Sequence, residues 1–72
     1  MDQFADIKRM ANQIAVNFQS YSEEQAIAET ANHIKSFWDP RMRKQLAELI
    51  AKDKGSLNPI ALAAGKKLGL GS

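Results

Sequence analysis

Apolar residues recur at three- and four-residue spacing through most of the chain, the periodicity of helices that bury one face. The first stripe consists of Phe4, Ile7, Met10, Ala11, Ile14, Ala15 and Phe18. It predicts a helix from residue 2 or 3 to residue 19, with Asp2 and Asp6 in the first turn, where carboxylates complement the helix dipole. Residues 20–22 (Ser-Tyr-Ser) interrupt the pattern and predict a short turn.

A second apolar stripe follows this turn: Ile27, Ala31, Ile34 and Trp38, flanked by Ala26, Thr30 and Phe37. Ser22 has Gln25 three residues later, which is the spacing of a capping box, and therefore predicts the start of the second helix. Pro40 predicts its end, because the residue before a proline is disfavoured in the helical conformation. We expect this helix to end by Trp38.

Two cap-and-proline pairs predict the remaining helices. Asp39 and Pro40 suit the N-cap and the first position of a third helix, over residues 40–53, with Gly55 as its C-terminal stop. Its buried face should consist of Met42, Leu46, Leu49 and Ile50. Asn58 and Pro59 repeat the arrangement and predict a short fourth helix to about residue 68. We expect this helix to be loosely held, because its apolar content is low.

These elements predict an all-α fold: three helices in a compact bundle, or a hairpin plus one helix, with a short, weak fourth helix at the C-terminus. We assign residues 1–68 to one small helical domain and residues 69–72 to a flexible tail. A chain of 72 residues buries a modest core and is marginally stable unless it is cross-linked or docked on a partner. It contains no cysteine, which excludes disulfides and thiolate metal sites.

Ten basic and eight acidic residues give a net charge of +2, and 44% of the residues are hydrophobic, as in globular proteins. Proteins that hold nucleic acid usually have a larger and more one-sided basic excess. The N-terminus lacks the apolar segment of a signal peptide, and no apolar run approaches a membrane span. We therefore expect a soluble, cytoplasmic protein with no membrane or nucleic-acid partner.

No group of residues in the sequence suggests catalysis. A nucleophile needs a neighbouring base and an orienting third group, and the only histidine, His33, has no obvious partner. The four glycines form no phosphate-binding loop. His33 lies to one side of the second stripe, where we expect a partly exposed side chain that forms a local hydrogen bond or an interface contact. The chain is therefore predicted not to be an enzyme.

The boundary between the second and third helices concentrates unusual residues: the only tryptophan and a phenylalanine before the Asp-Pro step, and two arginines after it. Aromatic residues and arginine are common at the energetic centres of protein interfaces. The basic residues are Lys35, Arg41, Arg43 and Lys44. They could dock on an acidic or carbonyl-rich surface. Two other interpretations stay open. In the first, Phe37 and Trp38 belong to the core and the arginines are solvated. In the second, the basic patch binds nucleic acid.

Residues 11–14 (Ala-Asn-Gln-Ile) recur as residues 31–34 (Ala-Asn-His-Ile), with Phe18 and Trp38 in the same frame. Two helices with equivalent stripes could pack as a pseudo-symmetric hairpin, although a four-residue match can also be a coincidence. Asparagine is mildly unfavourable inside helices. Asn12 and Asn32 therefore either satisfy backbone or partner groups beside the stripe or lie in solvent.

Several of these segments together resemble one protein family. Residues 10–15 (Met-Ala-Asn-Gln-Ile-Ala), 31–34 and 37–43 (Phe-Trp-Asp-Pro-Arg-Met-Arg) are similar to the delta subunit of cytosolic NAD-dependent, molybdenum-containing formate dehydrogenases. Residues 57–60 (Leu-Asn-Pro-Ile) are similar to an element in that family's C-terminal part, a weaker match. The resemblance spans residues 10–62.

The resemblance implies a cofactor-free, non-catalytic subunit that supports the assembly, stability or activity of a complex that oxidises formate to CO2 and reduces NAD. It implies that the molybdenum pterin, iron–sulfur clusters, FMN and NAD bind to the other subunits. Those subunits, above all the catalytic alpha subunit, are the expected partners. The candidate partner-binding residues are His33, Phe37, Asp39, Pro40, Arg41, Met42, Arg43 and Lys44. The alternative function is that of a small helical nucleic-acid-binding or regulatory protein.

Overall fold

A computed structural model describes residues 4–70 of the 72-residue chain. These residues form four α-helices, one turn of 3₁₀-helix and no β-strand. In chain order they are α1 (Ala5–Asn17), α2 (Glu23–Phe37), α3 (Pro40–Asp53), the 3₁₀-helix (Lys54–Ser56) and α4 (Pro59–Lys67). The prediction of an all-α fold with a short fourth helix is confirmed. The predicted first residues of α1, Asp2 and Gln3, and the last two of the tail, Gly71 and Ser72, lie outside the described residues.

The turn between α1 and α2 differs slightly from the prediction. α1 ends at Asn17, because the backbone N–H groups of Phe18 and Gln19 bond to Ala15 O and Val16 O, each at 3.2 Å, and tighten the last turn. Ser22 then caps α2 as predicted, since its Oγ accepts a hydrogen bond from Gln25 N at 3.2 Å.

The corner between α2 and α3 forms where the sequence predicts it. Trp38 leaves the helical conformation, with φ −90° and ψ 135°, while its N–H donates to Ile34 O at 3.0 Å. Asp39 Oδ1 accepts a hydrogen bond from Met42 N at 2.9 Å, and Pro40 is the first residue of α3. Both ends of the corner are therefore fixed by local residues, as helix caps usually are.

The core lies among all four helices. It consists of Phe4, Ile7, Ala11, Ala15, Ile34, Trp38, Leu46, Leu49, Ile50, Leu57 and Ala61. The predicted buried face of α3 is confirmed at Leu46, Leu49 and Ile50, while Met42 is partly buried against the core.

The predicted stripe of α2 is confirmed at Ala31, Ile34 and Trp38, whereas Ile27 is half-buried. The buried face also includes two residues predicted to flank the stripe, Ala26 and Thr30, which are completely buried. The two aromatic residues at the corner have different environments, because Trp38 is 5% exposed and Phe37 is 74% exposed. The interpretation that both belong to the core is therefore wrong for Phe37.

α4 is short but is not loosely held. Its most extensive contact is with α2, and both helices contribute small buried residues to the fold. Ala61 and Ala64 are fully buried. Gly65 packs against α3, since a Cβ atom at this position would lie 2.5 Å from Ile50 Cδ1. Small side chains bury little apolar area each, so their low hydrophobicity gave no sign that α4 completes the core.

One side chain of α1 is hydrogen-bonded to the connection between α3 and α4. Asn12 Nδ2 donates to Ser56 O at 3.3 Å, and Asn12 Oδ1 accepts from Asn58 N at 2.7 Å. Asn58 Oδ1 accepts from Ile60 N at 2.8 Å and so caps α4. The hypothesis that the asparagine satisfies backbone groups is confirmed for Asn12, whereas Asn32 is exposed.

Gly55 does not end α3 in the way expected of a C-terminal glycine. α3 ends at Asp53, as predicted, but Gly55 lies inside the following 3₁₀-helix (Lys54–Ser56). Gly69 is the one glycine with a positive φ, 80°, among the described residues. The left-handed conformation that stops a helix is therefore used at the end of α4.

Candidate functional site

The α2–α3 corner and the end of α4 enclose an open depression of about 590 Å³, which we call the basic groove. Its lining residues come from three helices and the segment after α4: Lys35, Pro40, Arg43, Lys44, Lys67, Leu68 and Leu70. The predicted basic residues Lys35, Arg43 and Lys44 thus share one surface. The fold adds residues that are distant in sequence, because the C-terminal end of α4 lies beside the corner.

A Schellman motif shapes the α4 side of the basic groove. Gly69 N donates to Lys66 O and Leu70 N donates to Gly65 O, each at 2.9 Å, with Gly69 at φ 80°. This is the bonding pattern of a helix that ends at a left-handed glycine. The Schellman motif holds Leu70 on the wall of the groove, whereas the sequence had assigned this residue to a flexible tail. The signal was present in the sequence, as a glycine that follows two lysines and a leucine at the end of a helical pattern.

The residues that line the basic groove carry a positive charge, although Lys67 also lines a neighbouring depression together with Glu23 and Glu24. Four of the residues that line the basic groove are cations, and none is acidic. Arg43 is half-buried, and the three lysines are exposed. Within residues 4–70, none of these four cations forms an ion pair. Like charges held close together raise the local potential and favour an anionic partner.

The structure divides the other predicted partner-binding residues among different roles. Arg41 is exposed but does not line the basic groove. Asp39 is engaged as the cap of α3, and Met42 packs partly against the core. Pro40 lines the groove and also begins α3. The corner is thus one structural unit, but only part of it forms a common surface.

His33 and Phe37 form a second surface, which we call the aromatic pair. Their ring centroids are 4.8 Å apart, with an interplanar angle of 41°. Helical spacing places Phe37 about 160° around α2 from Lys35, so the aromatic pair and the basic groove lie on different sides of this helix. Phe37 is 74% exposed, and aromatic side chains are common at the energetic centres of protein interfaces.

A further exposed apolar region lies at the turn between α1 and α2, and the sequence reasoning missed it. The Phe18 and Tyr21 ring centroids are 5.6 Å apart, and Tyr21 is 46% exposed. Val16 nearby along the chain is 47% exposed. Tyr21 occupied a predicted turn, which gave no reason to single it out.

Among residues 4–70, no group of three or more His, Cys, Asp or Glu side chains is placed to hold a metal ion. None of the helices in this part of the chain is long and apolar enough to span a bilayer.

The fold and the surfaces define a small all-α protein whose most distinctive features are a cationic groove and an exposed aromatic pair. The family model of the NADH-dependent formate dehydrogenase delta subunit, FdsD, matches residues 7–64. The chain belongs to this family, which confirms the resemblance seen in residues 10–62. No curated protein and no solved structure gives a significant match.

Proposed function

We propose that this chain is a non-catalytic subunit of a multi-subunit, NAD-dependent formate dehydrogenase and supports the assembly, stability or activity of that complex. The observation that carries the proposal is the family match, which extends from α1 into α4. In such a complex the other subunits oxidise formate to CO2 and reduce NAD. The chain contributes binding surface, and the complex is cytoplasmic.

On this proposal the molybdenum pterin, the iron–sulfur clusters, FMN and NAD are held by the partner subunits. Iron–sulfur clusters are bound mainly by cysteine thiolates, and this chain contains no cysteine. A cofactor-free role agrees with that composition. Any effect of the chain on turnover is then exerted through its contacts with a subunit that holds the cofactors.

The partner in direct contact, we propose, is the catalytic alpha subunit, and the α2–α3 corner carries the contact. The support is the surface of the corner: Lys35, Arg43 and Lys44, which form no ion pair within residues 4–70, and an exposed Phe37 on the other side of α2. The candidate contact residues remain those predicted from the sequence: His33, Phe37, Asp39, Pro40, Arg41, Met42, Arg43 and Lys44. Asp39 and Met42 act indirectly, by setting the start of α3.

The proposal can be tested by co-expression of the tagged chain with each large subunit alone and with all of them together. We expect the tag to recover the alpha subunit. Omission of the chain should lower the yield, the thermal stability or the formate:NAD activity of the complex. Two results together would contradict the proposal: the tagged chain is recovered without any formate dehydrogenase subunit, and the enzyme is unchanged when the chain is omitted. Salt-sensitive binding of duplex DNA in that case would favour the nucleic-acid alternative.

A double variant tests the corner itself. Arg41→Ala/Arg43→Ala should retain the helicity and melting temperature of the free chain, because neither arginine belongs to the core. The same variant should recover less alpha subunit at limiting concentration, since removal of an interface arginine often costs about 2 kcal/mol or more. Full assembly and full activity would show that the two arginines are ordinary solvated charges.

A further inference from the structure

The basic groove combines two properties that select different kinds of ligand. Four cations, Lys35, Arg43, Lys44 and Lys67, line it and form no ion pair within residues 4–70. Leu68 and Leu70 form a wall of half-buried apolar side chains beside them. An inorganic anion would use the charges and leave the leucines in contact with water. A ligand that uses the whole surface must carry both anionic and apolar groups.

The geometry of the groove favours an extended or helical peptide segment over a small molecule. The cations are distributed over α2, α3 and α4, around an open depression of about 590 Å³. Side chains spaced along a peptide can reach several separated cations at once, and arginine can bind a carboxylate through two parallel hydrogen bonds. Lysine contributes its charge with less geometric demand.

The apolar wall is fixed before any partner binds. The Schellman bonds of Gly69 and Leu70 hold the backbone at the end of α4, and Leu68 and Leu70 pack partly against the core. A preorganised surface loses less conformational entropy on binding than a flexible one. The end of α4 is therefore suited to receive one apolar side chain of a partner.

We propose that the basic groove receives an acidic segment of the partner subunit, in which several carboxylates flank at least one apolar side chain. The inference rests on the proposed function and adds the chemistry of the partner at this surface. It also assigns binding roles to Lys67, Leu68 and Leu70, which lie outside the corner.

Two charge-reversal variants with the same change in net charge test this assignment. Lys44→Glu/Lys67→Glu alters the groove, and Arg9→Glu/Lys54→Glu alters exposed residues that do not line it. We expect the groove variant to bind the alpha subunit at least roughly tenfold more weakly, and the control to stay within about twofold of wild type. Melting temperatures of both free chains should resemble wild type. If Lys44→Glu/Lys67→Glu unfolds, Lys44→Gln/Lys67→Gln replaces it, with a smaller loss expected.

Two further measurements separate the acidic segment from other occupants. A carbodiimide cross-link should join Lys44 or Lys67 to Asp or Glu residues within one short stretch of the alpha subunit. Leu70→Ala should weaken binding while the affinity remains as dependent on salt as in wild type, because the charges are retained. Cross-links scattered over the partner, or unchanged affinity in Leu70→Ala, would overturn the proposed segment.

The outcomes distinguish this inference from the proposed function. If the wild-type chain binds the alpha subunit and the groove variant binds equally well, the groove assignment is wrong and the accessory role stands. If the wild-type chain binds no formate dehydrogenase subunit, the accessory role itself fails, and the groove assignment fails with it. If phosphate displaces the partner far more effectively than chloride at equal ionic strength, the groove is an oxyanion site and not a peptide site.

Discussion

Two copies of one four-residue motif, Ala-Asn-x-Ile, have different environments in α1 and α2. The alanine is buried in both copies. Asn12 in α1 forms two hydrogen bonds with the connection between α3 and α4, whereas Asn32 in α2 is exposed. Ile34 in α2 is completely buried, whereas Ile14 in α1 is half-buried. The same local sequence therefore has structural roles that its neighbours in space decide.

The difference is a rotation of each helix relative to the core. The buried rows at four-residue spacing are Ile7, Ala11 and Ala15 in α1, and Ala26, Thr30 and Ile34 in α2. The alanine of the motif belongs to the buried row in α1, where it is Ala11. In α2 it is Ala31, which follows the row residue Thr30 by one position and therefore lies about 100° around the helix from it. As a result, the isoleucine of the motif belongs to the buried row in α2 but not in α1. Asn32 lies on the face of α2 opposite its buried row. The pseudo-symmetric hairpin considered from the sequence does not form.

The largest expected effect separates the two isoleucines. Ile34→Ala should lower the free energy of unfolding by roughly 2–4 kcal/mol and largely unfold the free domain, because it leaves a cavity in a small core. Ile14→Ala should cost about half as much, since the Ile14 side chain is half-buried. Urea unfolding followed by circular dichroism measures both. Equal losses would show that the two positions are equivalent after all.

A smaller effect should separate the two asparagines. Asn12→Ala should lower the free energy of unfolding by about 1–3 kcal/mol, because it removes the partner of a partly buried Asn58 N–H. Asn32→Ala should change it by less than about 0.5 kcal/mol, as surface substitutions usually do. The two melting curves, compared with wild type, provide the measurement. A marked destabilisation by Asn32→Ala would point to a contact absent from this fold.

The ends of the two helices offer a third comparison. In the corner after α2 the Asp39 side chain accepts a hydrogen bond from Met42 N, whereas the last turn of α1 is closed by the backbone N–H groups of Phe18 and Gln19. Asp39→Ala should therefore cost about 0.5–2 kcal/mol through loss of the bond to Met42 N. Asp39→Asn, which can still cap, is the control and should cost less. If both substitutions have the same small effect, Pro40 alone defines the corner.

The smallest effect concerns Thr30, which occupies the buried row of α2. Its Oγ1 is buried and has no hydrogen-bond partner among residues 4–70, whereas the corresponding row of α1 contains no hydroxyl. Thr30→Val keeps the shape and removes the unpaired group, so stability should stay the same or rise by up to about 1 kcal/mol. Differential scanning calorimetry can resolve the change. A clear fall in melting temperature would indicate that the hydroxyl has a partner in solution.

The sequence predicted best what is determined locally. The α2–α3 corner and the start of α4 match their predicted positions, because a capping side chain followed by proline acts on its own backbone. The buried face of α3 was also correct at Leu46, Leu49 and Ile50, since its apolar residues form one stripe. These features need no knowledge of the neighbouring helices.

The rest depended on packing between elements distant in sequence. Phe37 and Trp38 are adjacent and both apolar, so only the rotation of α2 decides which one is buried. Four residues of the basic groove were anticipated at the corner, but Lys67, Leu68 and Leu70 join them through the path of α4. Their place became visible only with the contact between α2 and α4.

The two hydrogen bonds of Asn12 also bear on the order of events in folding. They join residues separated by 44 and 46 positions, so neither can form until most of the chain has become compact. The helices themselves need only local contacts and can appear far earlier on the folding pathway. If the Asn12 contacts form after the transition state, loss of its amide should accelerate unfolding and leave the refolding rate almost unchanged; slower refolding would place these contacts in the transition state. With unchanged refolding, the Asn12 hydrogen bonds form late in folding, and their main effect is to lengthen the lifetime of the native state.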